Sequence, residues 1–337
     1  MTFGFYRVYH LLKSCGTRAA AAGLLSAVMV PVVQAQTPEV WPTRPIRLIV
    51  ALAPGGLADV LTRAVSGPLG EALGQTVVVE NRPGAGGNVA GAEVARNGRD
   101  DHTFLIAPTT TQSVNPFIYT NIPFTFDKDL QPVGLLANSK LFLLARPGLE
   151  PKDLASFIAY IKANPKALSF GSAGNGTTPH LAGELLNVGL GAAETHVPYR
   201  GAAPAIQDLM AGQIDYAFGP ANFLPTVKAG KLKLLGVASR QRAQGYADVP
   251  TFAEMGVDRI FADSMFGIYA PASMSADKVR RFNVELNRIL NTSKIGAQFA
   301  EYGAEAVAKT PAEFQELVRA EKAVFVPVVK ALSIKAE

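Results

Sequence analysis

Cysteine is almost missing from this sequence. Cys15 is the only one in 337 residues, and it lies in an N-terminal stretch that reads as an export signal. Beyond that stretch the chain has neither disulfides nor thiolate metal ligands. A long hydrophobic run is also missing. The apolar segment 19–33 falls short of the roughly 20 residues that a bilayer-crossing helix needs. Catalytic signatures are absent: there is no Gly-x-Ser-x-Gly, no His-Glu-x-x-His and no Gly-x-x-x-x-Gly-Lys-Ser/Thr. Histidine is scarce, with His102, His180 and His196 beyond the signal, and no His/Asp/Glu cluster has metal-ligand spacing. No repeat, heptad array, low-complexity tract or Gly/Ser linker interrupts the chain.

Arg7, Lys13 and Arg18 give a basic start, followed by the apolar run and then Val33-Gln34-Ala35, with small residues at the cleavage positions. Residues 1–35 therefore read as a secretory signal. Cys15 precedes the apolar run, where lipidation of a mature N-terminus cannot use it, so a soluble protein is expected. The whole chain carries 32 basic and 27 acidic residues; without the three signal cations, 29 against 27 leaves +2. That balance does not imply a nucleic-acid partner. About 300 remaining residues are enough for two packed cores.

Strand-like and helix-like segments then alternate. Residues 45–53 form a β-branched apolar run, Pro54-Gly55-Gly56 breaks it, and Leu57, Val60, Leu61, Ala64, Val65 and Leu69 recur at helical spacing. Strands are expected at 76–81, 103–107, 168–172, 196–199, 214–218, 233–238 and 265–271. Helices are expected at 153–163, from 181, at 204–210, 224–229, 276–290 and 311–332. The alternation predicts α/β architecture with mostly parallel strands covered by helices. Residues 132–146 and 261–270 are long and strand-like and could cross between two lobes as hinge strands. The expected division is 40–140 plus 265–337 for one lobe and 141–264 for the other; one large sheet is the alternative.

Two strand-glycine-helix junctions carry the chemistry: Ala53-Pro54-Gly55-Gly56-Leu57-Ala58-Asp59 and Ser172-Ala173-Gly174-Asn175-Gly176-Thr177-Thr178-Pro179-His180. Glycine permits left-handed torsions and close approach of a ligand to the backbone. The helix start that follows offers unpaired N–H groups and a partial positive charge, which suits an anion. A lone glycine turn is more often structural, but two in successive α/β units can face one another. Thr109 and Thr111, in the polar run after a buried strand, could donate to a ligand or cap a helix. Asp59 suits its helix dipole or could meet an ammonium group. Tyr199-Arg200-Gly201 follows another strand. Residues 82–87 read as a turn. His180 reads as a helix-start or packing residue, with a ligand role open.

These segments resemble the Bug family, the substrate-binding proteins of tripartite tricarboxylate transporters. The shared residues are Trp41-Pro42, Pro45 to Val50, Pro54-Gly55-Gly56, Asp59, Glu80 to Asn88, Asn115-Pro116, Ser172 to Thr177, His180 to Glu184, His196 to Tyr199 and Asp248 to Thr251. The resemblance implies a periplasmic, two-lobed binding protein that closes by a hinge on a small organic carboxylate. It implies a cleft bordered by Pro54, Gly55, Gly56, Leu57 and Asp59 on one side and Ser172, Ala173, Gly174, Asn175, Gly176, Thr177, Thr178 and His180 on the other. Thr111 matches a ligand-facing hydroxyl. Gly219 stands where many members carry an aspartate, which favours a carboxylate without an amine. No metal, cofactor or chemical step is expected; the partners expected are two integral membrane subunits, and the chain is expected to be a monomer. A sensor-coupled receptor, and an enzyme using His180 with Ser172 or a threonine, are the alternatives.

Overall fold

The computed structural model describes residues 41–243 and 245–336. The signal read at residues 1–35 lies outside the described residues. Among those described, no helix is long and apolar enough to cross a membrane.

The chain opens with β1 (Ile46–Val50), α1 (Leu57–Leu73), β2 (Val77–Asn81), α2 (Asn88–Arg96) and β3 (Thr103–Pro108). The short helices α3 (Thr110–Ser113), α4 (Asn115–Ile118) and α5 (Phe126–Asp129) lead to β4 (Leu130–Ser139) and β5 (Phe142–Ala145). Next come α6 (Leu154–Ala163), β6 (Ser169–Ser172), α7 (Thr178–Leu190), β7 (Thr195–Pro198), α8 (Ala202–Ala211), β8 (Tyr216–Gly219), α9 (Leu224–Lys228) and β9 (Lys233–Val237). The last elements are β10 (Ser264–Pro271), α10 (Ala276–Leu290), α11 (Ser293–Glu301), β11 (Ala304–Glu305) and α12 (Pro311–Ala331).

The strands form two sheets, in the orders β11-β4-β10-β3-β1-β2 and β7-β6-β8-β5-β9. Only β1 with β2 and β3, and β6 with β7 and β8, pair in parallel. β10 runs antiparallel to β3 and β4, and β5 antiparallel to β8 and β9. The sheets are thus mixed, not mostly parallel, because the strands next to each crossing enter from the other sheet. The chain crosses twice: between β4 and β5, and again on the way from β9 to β10. Ser139 pairs with Ser264 at that level, and the Ala238 N–H donates to the Leu141 carbonyl.

Helical periodicity explains the first layer. Leu61, Val65, Leu69 and Leu73 repeat every four residues and are at most 4% exposed. Each such burial contributes about 1.5–3 kcal/mol against the chain's entropy. They pack with α10 and α11 on one face of the first sheet, while Val94 of α2 and Phe314 of α12 cover the other. Helices also cover both faces of the second sheet. The N-terminal half of α12 packs on the first sheet through Phe314 and Val318. Its later residues Phe325 and Val329, with Ile334, join the core of the second. The C-terminal helices therefore do not return to the first sheet alone.

Candidate functional site

The first glycine loop leaves β1 and enters α1. Gly55 has φ +74°, a left-handed torsion that favours glycine. Its N–H donates to Asp59 Oδ2 at 2.9 Å, and Arg63 Nε donates to Asp59 Oδ1 at 3.0 Å. Burial works to raise the Asp59 pKa, but donation from Arg63 and Gly55 outweighs it and holds the carboxyl below its ordinary value. Both oxygens are engaged, so Asp59 braces the loop. Among the described residues, the N–H groups of Leu57 and Ala58 have no acceptor, as the first turn of a helix dictates.

The second loop leaves β6 and enters α7. The Gly174 N–H donates to Ser172 Oγ at 3.1 Å, and Thr177 Oγ1 donates to the Gly174 carbonyl at 2.7 Å. Thr177 occupies the N-cap position of α7, but its hydroxyl turns back into the loop. Gly176 has φ +76°, and its N–H donates to His180 Nδ1 at 3.0 Å. Ser172 Oγ lies 2.7 Å from His196 Nε2. The two imidazoles stack at 3.9 Å and 18°. Burial, then the neighbouring His180, pushes the His196 pKa down to about 3, so His196 is neutral at neutral pH. The N–H groups of Ala173, Asn175 and Thr178 have no acceptor among the described residues.

The segment from Thr111 to Ile118 touches the turn at residues 82–87 and the second loop. Thr111 Oγ1 and Asn115 Nδ2 donate to the Gly86 carbonyl at 2.8 and 3.0 Å. A Cβ on Gly87 would meet Thr111 Oγ1 at 2.7 Å and Ala51 at the end of β1. A Cβ on Gly176 would meet Ile118 at 2.1 Å and Asn115 Oδ1 at 3.6 Å. The turn at residues 82–87 is thus a turn, as read, but it also seats Thr111 and Asn115. The C-terminal residues join here too, since the Ala336 N–H donates to the Ile118 carbonyl and Asn175 Nδ2 donates to the Ala336 carbonyl.

Other candidates are engaged elsewhere. Thr109 Oγ1 donates to Glu321 Oε1 at 2.6 Å, so its hydroxyl is committed to the protein interior. The Tyr199 hydroxyl donates to Asp208 at 2.7 Å, and burial with that carboxylate pushes its pKa up to about 12. Gly219 ends β8, where a Cβ would meet Leu144, Ile206 and Phe223; a side chain there points into apolar packing. Sequence reading missed the contact of Ser172 with His196, having set Ser172 beside His180.

Asp100, Asp101 and His102 gather ligand atoms within 4.8 Å, a cluster that sequence spacing did not reveal. Its groups are satisfied internally: Asp100 by Arg44, Asp101 by Lys278, and His102 by Asp101 and the Thr43 N–H. Two cavities, of about 460 and 300 Å³, flank α12 and share Asp127 and Lys322. No residue of either glycine loop lines them.

Two mixed α/β halves, two chain crossings and glycine loops at strand ends define the class of two-lobed solute-binding proteins. The chain belongs to the tripartite tricarboxylate transporter family receptors: residues 61–334 match that family. It is 33% identical to protein BugT of Bordetella pertussis over 304 residues, 89% of this chain and 90% of that one. Among solved structures it is similar to Rhodopseudomonas palustris MatC with bound malate, at 30% identity and TM-score 0.78, covering 86% of this chain and 100% of that one. A second R. palustris protein, solved with adipate, matches at 31% identity and TM-score 0.82, covering 88% and 99%. The family read from the sequence is the family found.

Proposed function

We propose that the protein captures a small organic carboxylate between its two glycine loops and delivers it to a membrane transporter. One observation carries this reading. At the two loops the Asp59 carboxylate and the Gly174 carbonyl are tied to the protein, while among the described residues the N–H groups of Leu57, Ala58, Ala173, Asn175 and Thr178 have no protein acceptor at the starts of α1 and α7. Unengaged N–H groups gathered at two helix starts, with the nearby carboxylate already neutralised by Arg63, favour an anion. The malate and adipate of the two similar structures are of that chemical class.

In this reading Pro54, Gly55, Gly56, Leu57 and Asp59 belong to a lobe of residues 40–140 and 265–337. Residues 172–178 belong to a lobe of residues 141–264, and Thr111 lies between. Closure about the crossings brings both donor sets onto one anion and removes water, which strengthens each hydrogen bond. The closed monomer then meets two integral membrane subunits. Residues 1–35 direct export to the periplasm, where the mature chain begins at Gln36.

The test is thermal unfolding of residues 36–337 against a panel of carboxylates. Ligand at about a hundred times its Kd adds roughly 2.7 kcal/mol, which raises the midpoint by several degrees. Gly55→Val should abolish that shift in a folded protein; a full shift in the variant would remove the first loop from the site. A second reading, hydrolysis at the same loop, takes its support from the 2.7 Å contact of Ser172 with His196. Turnover of a bound carboxylate that disappears in Ser172→Ala would favour it.

A further inference from the structure

His180 and His196 sit beneath the second glycine loop and have no place in the capture step itself. They stand on different elements, His180 in the first turn of α7 and His196 on β7. Both reach the loop as hydrogen-bond partners. His180 Nδ1 accepts the Gly176 N–H. His196 Nε2 contacts Ser172 Oγ, which in turn accepts the Gly174 N–H. Register explains the second contact: Phe170 of β6 pairs with His196 of β7. Ser172, two residues along, shares that face and lies within reach of the longer imidazole.

We propose that His180 and His196 are positioning residues that fix the shape of the second glycine loop, so that its free N–H groups face the anion. This rests on the carboxylate-binding reading. Two of the loop's N–H groups, those of Gly174 and Gly176, are drawn away from the ligand by this pair. With the Gly174 carbonyl held by Thr177, the N–H groups of Ala173, Asn175 and Thr178 are left for the anion. His180 must be unprotonated at Nδ1 to accept from Gly176; a proton there makes the contact donor against donor and breaks it. The neighbouring ring, stacked at 3.9 Å, adds to burial in keeping His196 uncharged. The groups around the pair are Glu184 of α7, with Oε1 3.5 Å from His180 Nε2, and Tyr216 of β8, stacked on Phe170. The acids that act on Tyr216 are Glu184, Glu194 and Asp215.

The experiment uses the mature chain, with amide hydrogen exchange at Gly174 and Gly176 without ligand and titration with malate. His180→Ala should speed exchange at Gly176 and weaken malate binding, each by about tenfold or more, as loss of a buried acceptor implies. Asparagine places Oδ1 near the position of Nδ1. His180→Asn should therefore restore slow exchange and near-native malate affinity. Unchanged exchange and affinity in His180→Ala would overturn the positioning role, as would His180→Asn exchanging and binding no better than His180→Ala. If the native chain binds neither malate nor adipate, the carboxylate reading fails, and exchange at the two glycines still decides the positioning role.

Discussion

Lys140 Nζ lies 2.7 Å from Asp263 Oδ2, one residue on each of the two segments that cross between the sheets. Asn138 Nδ2 donates to the same oxygen at 3.2 Å. The side chains are 13% and 29% exposed, so the carboxylate without its cation would be poorly solvated. Lys140→Met should lower stability by about 1–3 kcal/mol. The reading is a lower urea midpoint with an unchanged slope. An unaltered midpoint would mean that the pair does not hold the crossing together.

Glu321 should make stability fall as pH rises. Burial pushes its pKa up to about 7 from an ordinary 4.5, although Ser113 and Thr109 donate to it. The folded chain therefore holds this proton more tightly than the unfolded chain. Its contribution to stability is complete below about pH 4.5 and is lost as pH rises through about 7. Glu321→Gln should gain on the native chain across that window, by up to about 3 kcal/mol. A stability difference independent of pH would show that the carboxyl is not perturbed.

His196 should act in the opposite direction. Its pKa is depressed to about 3, so the unfolded chain takes up a proton that the folded chain refuses. Stability from this group is lost as pH falls below the ordinary 6.5. The difference between His196→Gln and the native chain should move in favour of the variant from about pH 7 to about pH 5. Calorimetric midpoints at each pH check this, and a constant difference contradicts it.

Gly55→Ala and Gly176→Ala should differ in cost. Both replace glycines with left-handed torsions, worth about 1–2 kcal/mol. Around Gly55 nothing lies within 4 Å of an added Cβ, whereas at Gly176 the Cβ would stand 2.1 Å from Ile118 Cδ1. Gly176→Ala should therefore cost more, and combining it with Ile118→Ala should cost less than the sum of the two. Equal costs at the two glycines would mean that Ile118 yields without penalty.

Much of this was legible from local pattern. The α10 bounds and the apolar face of α1 follow from helical periodicity, and the two site loops from glycines between a strand and a helix start. α2 was not read, because Gly91 and the preceding glycine turn dilute its apolar period. The antiparallel course of β10 depends on how the chain re-enters the first sheet, which no local signal encodes. The span of α12 across two cores is equally non-local, since its Phe and Val stripe is the same whichever sheet it meets. Thr109 looked free to bind ligand because its acceptor, Glu321, lies 212 positions away. Ser172 meets His196 only through the pairing of β6 with β7.

The most direct test of the central claim is nitrogen-15 NMR of residues 36–337 during titration with malate and with adipate. The amide signals of Leu57, Ala58, Ala173, Asn175 and Thr178 should move together and saturate at one ligand per chain. Shifts confined to the cavity beside Asp127 and Lys322, with these five amides unmoved, would contradict it.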